Sequence, residues 1–226
     1  MNIRRLIVKP KTTIVMSGPI RDRFSIIERH VRTGSVLDVG CVDSRPKREP
    51  EHRRLGRMID SLFRRICEIN PDTLGVDTSS AGIEILRQQG CNVRCADAIS
   101  MTLERKFDAI IVGEVVEHVE NVGLFLCNLA RHMTPRGVLI VSTPNPFYSG
   151  QIAKIWRSGR PRVHEDHTGW FDPITLQAAM VRAGLEPFEG YWVQPKRSLA
   201  RTWRVLFRRY FSHSFMILAR LGAHGP

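Results

Sequence analysis

The sequence predicts an α/β protein built on an open, mostly parallel sheet with helices on both faces. Three observations carry that expectation. Val36 to Val39 form a short apolar strand that runs into Gly40, with no helix-forming stretch until about residue 51. Further short apolar strands then alternate with helical stretches, as a parallel sheet with crossover helices requires. Phe107 to Gly113 is a near-continuous apolar run, the pattern of a strand buried on both faces. In such a sheet, ligands gather outside the carboxyl ends of the strands.

Residues 20–32 read as an amphipathic helix carrying Phe24, Ile26, Ile27 and Val31, placed ahead of the first strand. Gly40 ends that strand, because glycine lets the backbone turn sharply and approach a ligand without a Cβ clash. Pro46 and Pro50 make 43–50 a loop, since proline removes a donor and fixes φ. Helix 51–69 places Leu55, Met58, Ile59, Leu62 and Ile66 on one face, so the first connection is long and basic. Thr73 to Asp77 is a second strand ending in a carboxylate, placed to accept two hydrogen bonds from a ribose diol. Helix 79–89 carries Ile83, Ile85 and Leu86, and Cys91 to Cys95 is a third strand followed by Ala96, Asp97 and Ala98.

After the fourth strand, 107–113, helix 121–133 carries Leu124, Phe125, Leu129 and Met133 and is stopped by Pro135 and Gly137. The strand Val138 to Ser142 leaves the sheet through a rigid Thr143 to Pro146 exit. Residues 147–170 break the alternation with Gly150, Gly159, Pro161 and the polar run His164 to His167, which marks a lid at the ligand edge. Helix 173–183 and strand 185–193 resume the pattern. Residues 198–211 place Leu199, Trp203, Leu206, Phe207 and Tyr210 on one helical face and Arg201, Arg204 and Arg208, with the preceding Arg197, on another, and Phe215 to Ala219 is a last strand.

A length of 226 residues suits one domain with a substantial core. The expected organisation is a single domain over 1–226, with an N-terminal cap at 1–34, the lid-like insertion at 147–170, and a C-terminal helix and strand at 196–226. No apolar run approaches the roughly 18–20 residues of a bilayer span, and Leu6 to Val8 is too short for the apolar region of a secretion signal. The expected location is the cytoplasm. Five cysteines without a Cys-x-x-Cys pair argue against a disulfide framework and against structural zinc. Cys91 and Cys95 stand about 13 Å apart at roughly 3.3 Å per residue and read as core thiols.

The net charge of +12 is concentrated outside the sheet. Segment 1–34 has eight basic and two acidic residues, 45–65 has eight and three, and 196–220 has seven and none, whereas 66–195 is net acidic. That field favours anionic partners: nucleic acid, acidic lipid headgroups or a phosphorylated substrate. The basic amphipathic stretch 198–211 is therefore also a candidate peripheral contact with an anionic membrane.

Val36 to Gly40, Asp77, Asp97, the segment Phe107 to His118 and the segment Met133 to Asn145 together resemble class I S-adenosylmethionine-dependent methyltransferases. The set runs in order across roughly residues 20–220. It is most similar to the branch of ubiquinone-pathway and glycan or small-molecule O-methyltransferases that share Glu-x-x-Glu-His after the fourth strand. The resemblance implies a Rossmann-like sheet, mostly parallel, with a last antiparallel strand tucked between the fifth and sixth. It implies that Gly40 lets the loop approach the methionine end, that Asp38 helps hold it, that Asp77 takes the ribose and Asp97 with Ala98 the adenine edge, and that Cys41, Thr78 and Gly113 also contact the cofactor. The chain departs from the family loop at Val42 and Ser44, where glycines are usual, and valine at positive φ costs roughly 1–3 kcal/mol. The turn there is expected to differ or widen.

Glu114, Glu117 and His118 stand where this fold puts the transferable methyl, and three readings stay open. His118 can be a general base toward a substrate hydroxyl. The three residues can instead bind a divalent cation such as Mg, with Asn145, His164 or His167 completing the shell. The carboxylates can also simply cap the following helix. Asn145, His164 and His167 are also candidate substrate or lid contacts. The expected function is S-adenosylmethionine-dependent O-methylation of a small molecule, glycan or lipid-linked intermediate. The alternatives are a nucleic-acid methyltransferase or binding module and a non-catalytic protein of the same fold. A missing Gly-x-Gly-x-x-Gly disfavours a nicotinamide enzyme.

Overall fold

The computed structural model describes residues 14–42, 61–194 and 209–223. Its strands are β1 (Met16–Ile20), β2 (Val36–Val39), β3 (Leu74–Asp77), β4 (Val93–Cys95), β5 (Phe107–Gly113), β6 (Met133–Pro144), β7 (Leu185–Val193) and β8 (Ser214–Leu221). They form one eight-stranded sheet in the order β1-β7-β8-β6-β5-β2-β3-β4. All neighbours are parallel except β8, which runs antiparallel to both β6 and β7. That is the last strand the resemblance implied, in the place it implied. The helices are α1 (Phe24–Val31), α2 (Leu62–Ile69), α3 (Ser80–Gln88), α4 (Val122–Arg131), α5 (Ser149–Ser158) and α6 (Pro173–Arg182).

The apolar strands serve two cores because successive side chains point to opposite faces. Leu37, Ile110, Leu139 and Ile217 join Phe125 and Leu129 of α4 and Leu176 and Met180 of α6 in one buried cluster. Their neighbours Val36, Ile111, Ile140 and Leu218 pack on the other face against Ile26, Ile27 and Val31 of α1 and Ile66 of α2. Truncating a fully buried isoleucine such as Ile110 or Ile111 to alanine would cost about 2–5 kcal/mol.

Local sequence starts the helices. Ser61 accepts from Arg64 N at 3.3 Å and Ser79 from Gly82 N at 3.3 Å. Asp172 caps α6 through Ile174 N at 2.8 Å, with Pro173 at its first position, where a missing N–H costs nothing. Gly159, at φ 68°, ends α5 in the left-handed conformation that a β-carbon would strain.

Several expectations change. The helix expected over 20–32 is shorter, Phe24–Val31, and is preceded by β1, which pairs in parallel with β7 at the sheet's far edge. Gly18 and Pro19 hide that strand from a pattern reading. Gly190 makes its docking feasible, since a Cβ there would lie 2.3 Å from Met16 Sδ. Helix 121–133 stops at Arg131 and Met133 already pairs with Phe107, so the strand expected over 138–142 is a much longer β6. The segment expected as a lid contains a ten-residue helix, α5, none of whose residues is buried. Cys95 is exposed and Cys91 half-buried, so neither is a fully buried core thiol. Part of helix 51–69, Ser44 and most of the basic stretch 198–211 lie outside the described residues. Among the described residues, no helix is long and apolar enough to cross a membrane.

Candidate functional site

The carboxyl ends of β2, β3, β4 and β5 open on a cleft of about 850 Å³. Gly40 turns the chain out of β2 at φ 80°, with its N–H donating to Val76 O at 2.8 Å. The turn leaves no space for a side chain. Asp38, two residues earlier and 3 % exposed, makes no side-chain hydrogen bond among the described residues yet borders the cleft. Burial pushes its carboxyl up to about 8, aided by Asp77 and opposed by the Arg23 guanidinium.

Asp77 ends β3. Its Oδ1 accepts from Ser79 N at 2.8 Å and its Oδ2 from Val42 N at 3.0 Å, while burial raises its pKa against those bonds. Val42 is accommodated without strain. It does not take a positive φ, which Glu114 alone among the described non-glycine residues does. Its side chain lies on Gly82 of α3, where a Cβ would meet Val42 Cγ1 at 2.3 Å. The family loop's glycine is thus replaced by a valine whose room comes from a glycine on the neighbouring helix. Cys41 and Thr78 line the same cleft, as does Gly113, where a Cβ would press on Leu62 Cδ2 at 2.9 Å. Asp97 and Ala98 line it after β4, with Asp97 Oδ1 accepting from Ile99 N at 2.8 Å.

Beyond β5, Glu114, Glu117 and His118 border the cleft but do not act as one group. Only Val116–His118 form a helical turn, a short 3-10 one. Glu114 precedes it at φ 59°, and its Oε1 accepts from Arg23 Nη1 at 2.8 Å. Glu114 and His118 therefore do not share a helical face. Arg23 also donates to Ser142 Oγ at 3.1 Å, tying the start of α1 to the ends of β5 and β6. Helix capping is not what these carboxylates do either, because Asn121 caps α4 by accepting from Leu124 N at 3.1 Å.

Titratable side chains gather instead around Glu117, His118 and His167. Glu117 is 2 % exposed, and its Oε2 accepts from Thr143 Oγ1 at 2.9 Å. Burial pushes its carboxyl up to about 7. His118 Nδ1 lies 3.1 Å from Asp166 O. A carbonyl only accepts, so Nδ1 carries the proton and Nε2 keeps its lone pair. The His118 and His167 rings meet edge to face with centroids 4.7 Å apart, and His164 stands 5.9 Å from His118. Burial and the two neighbouring imidazoles hold His167 below the ordinary histidine range. One potential ligand atom from each of Glu117, His118 and His167 falls within 4.8 Å of the others. Those three can hold a cation.

Asn145 is not available to complete such a shell. Its Nδ2 donates to Tyr210 O at 2.7 Å and Ser212 O at 2.9 Å, and its Oδ1 accepts from Phe147 N at 3.0 Å. It anchors the chain entering β8. Arg23 is the residue that sequence reasoning missed. It sits 91 positions from Glu114, and nothing in its local sequence signals that the fold brings it to the ends of β5 and β6.

A family model described as "Methyltransferase domain" matches residues 16–189. The ubiquinone biosynthesis O-methyltransferase of Rickettsia conorii is 48% identical over 175 residues, covering 74% of this chain and 56% of the relative. The protein of the same name from Azorhizobium caulinodans is 29% identical over 174 residues, covering 68% and 59%. The chain thus spans little more than half the length of these relatives. Among solved structures, the CcbJ methyltransferase from Streptomyces caelestis superposes with a TM-score of 0.61 at 13% identity, covering 88% of each chain, a likeness of fold. With that match across most of its length and the motif set on one sheet edge, the chain belongs to the methyltransferase domain family, in its class I S-adenosylmethionine-dependent group.

Proposed function

We propose that this protein transfers the methyl group of S-adenosylmethionine to a hydroxyl oxygen of a small molecule, with glycans and lipid-linked intermediates as further acceptor types. The observation that carries the reading is Asp38, a buried carboxyl whose side chain has no hydrogen bond among the described residues and which borders the same cleft as Asp77, Glu117 and His118. A carboxyl on the cleft wall with no protein donor is free to take one from a ligand. The amino group of the methionine end is such a donor. In this reading Asp77 takes the ribose diol, and Asp97 and Ala98 border the adenine; all three line the cleft. The names of the relatives support oxygen as the receiving atom.

S-adenosylmethionine supplies an activated methyl on a sulfonium, so the protein's task is chiefly to position the acceptor, an effect worth roughly 7–11 kcal/mol. His118 Nε2 takes the hydroxyl proton, with Nδ1 anchored on the Asp166 carbonyl so that the ring holds one orientation. Glu117 stabilises the resulting imidazolium from the buried side. Calorimetric titration with S-adenosylhomocysteine tests the reading: saturable binding by the wild type that Asp77→Ala weakens supports it, and no binding by the wild type overturns it.

A second reading rests on the convergence of Glu117, His118 and His167. A divalent cation held there would lower the pKa of the bound hydroxyl and orient it. Turnover that is lost on chelation and restored by Mg²⁺ would favour this reading over the imidazole base.

A further inference from the structure

A second cavity, of about 1080 Å³, adjoins the cleft and shares Glu117, Pro144, His164 and His167 with it. We infer that this cavity is the acceptor pocket, resting on the methyl-transfer reading, and that the acceptor carries an anionic group, a phosphate or carboxylate, held by Lys154, Arg157 and Arg162.

Placement supports this in three ways. Lys154 and Arg157 lie three residues apart on α5, on the side of the helix that continues from Gln151. Gln151 fixes the backbone that carries the third cation, since its Nε2 donates to Arg162 O at 2.8 Å and its Oε1 accepts from Arg162 N at 3.2 Å. A single side chain thereby clamps the loop after α5 against the helix, and all three cations border one cavity. None of the three has an ion pair among the described residues. Glu117 and Glu165 are the carboxylates lining the cavity, and Glu117 belongs to the shared wall.

The rest of the lining suits a ring bearing that anion. Tyr148 packs edge-on to His213 with centroids 5.0 Å apart, and Trp170 also borders the space. Unpaired guanidinium groups bind phosphate and carboxylate by bidentate, charge-assisted hydrogen bonds, which a neutral acceptor would leave unused. An acceptor anchored by its anion among these cations would place its hydroxyl toward the shared wall at Glu117 and His167.

The test titrates protein loaded with S-adenosylhomocysteine with phenyl phosphate and, separately, with phenol. Phenyl phosphate is expected to bind, and to bind roughly tenfold or more weakly to the triple variant Lys154→Gln, Arg157→Gln, Arg162→Gln, the three substituted side chains being solvent-exposed. Phenol should not distinguish the two proteins. No binding of phenyl phosphate, or binding that the triple variant keeps in full, overturns the inference. Vesicles of phosphatidylglycerol against phosphatidylcholine separate the other source of phosphate: cation-dependent binding to the former without binding of phenyl phosphate would make this a membrane face and overturn the pocket. The loading step reports on the cofactor cleft by itself. Failure there with phenyl phosphate still bound would sink the methyl-transfer reading rather than the anion site.

Discussion

Val115 Cγ2 occupies the space where a side chain on Gly40 would begin, 2.3 Å from an ideal Cβ. Gly40→Ala therefore adds a clash to a backbone already at φ 80°. It should lower stability by roughly 1–3 kcal/mol and abolish measurable S-adenosylhomocysteine binding, because the loop must move away from the cleft. Urea denaturation and calorimetry on the same preparation check both effects. Wild-type affinity in Gly40→Ala would contradict the close approach.

His118 and Asp77 should separate turnover from affinity. His118→Ala is expected to reduce kcat by about 10²–10⁴ with little change in S-adenosylhomocysteine affinity. Asp77→Ala should weaken that affinity with a smaller effect on kcat at saturation. Equal turnover in His118→Ala and wild type would reject the imidazole as base.

Glu117, pushed up to about 7 by burial, gives the pH dependence a sign. As a carboxylate it stabilises the imidazolium, so kcat/KM should rise with pH up to about 7 and then level. Glu117→Gln should lose activity together with that limb. A wild-type profile that is flat between pH 5 and 8 would remove Glu117 from the reaction.

Asp38 links protonation to stability and to binding. Its carboxyl, at about 8, lies above its value in the unfolded chain, so the folded protein binds more protons between those values. Its contribution to stability is complete below the unfolded value, near 4, and is lost as pH rises through about 8. Asp38→Asn should accordingly stabilise the ligand-free protein by roughly 1–3 kcal/mol at pH 9 and do little at pH 4. A cationic amino group in the cleft favours the carboxylate, so S-adenosylhomocysteine binding at pH 7 should release up to one proton. Calorimetry in buffers of different ionisation enthalpy measures that release, and none would place the amino group elsewhere.

The strand ends were readable because the features that mark them are local. Asp38, Gly40, Asp77 and Asp97 each sit where an apolar run stops, and the sheet brings them to one edge. Strand β1 was not readable, since Gly18 and Pro19 interrupt the apolar pattern and its pairing with β7 joins residues more than 170 positions apart. The fate of Val42 was equally hidden. A valine in place of a glycine reads as strain in one dimension, and only the packing of α3 shows that Gly82 provides the room.

By itself the sequence determined the fold class, the family resemblance and the residue types at the cleft, because short continuous apolar runs and strand-end carboxylates are properties of neighbouring residues. Only the tertiary structure decided how the polar groups divide. Arg23 takes Glu114 away from the reacting end, while His167 arrives from the segment after α5 to join Glu117 and His118. The physical reason is that an ion pair or a shared cavity depends on distance in space. A single left-handed residue at Glu114 is enough to redirect a side chain that spacing along a helix would have placed beside its neighbours.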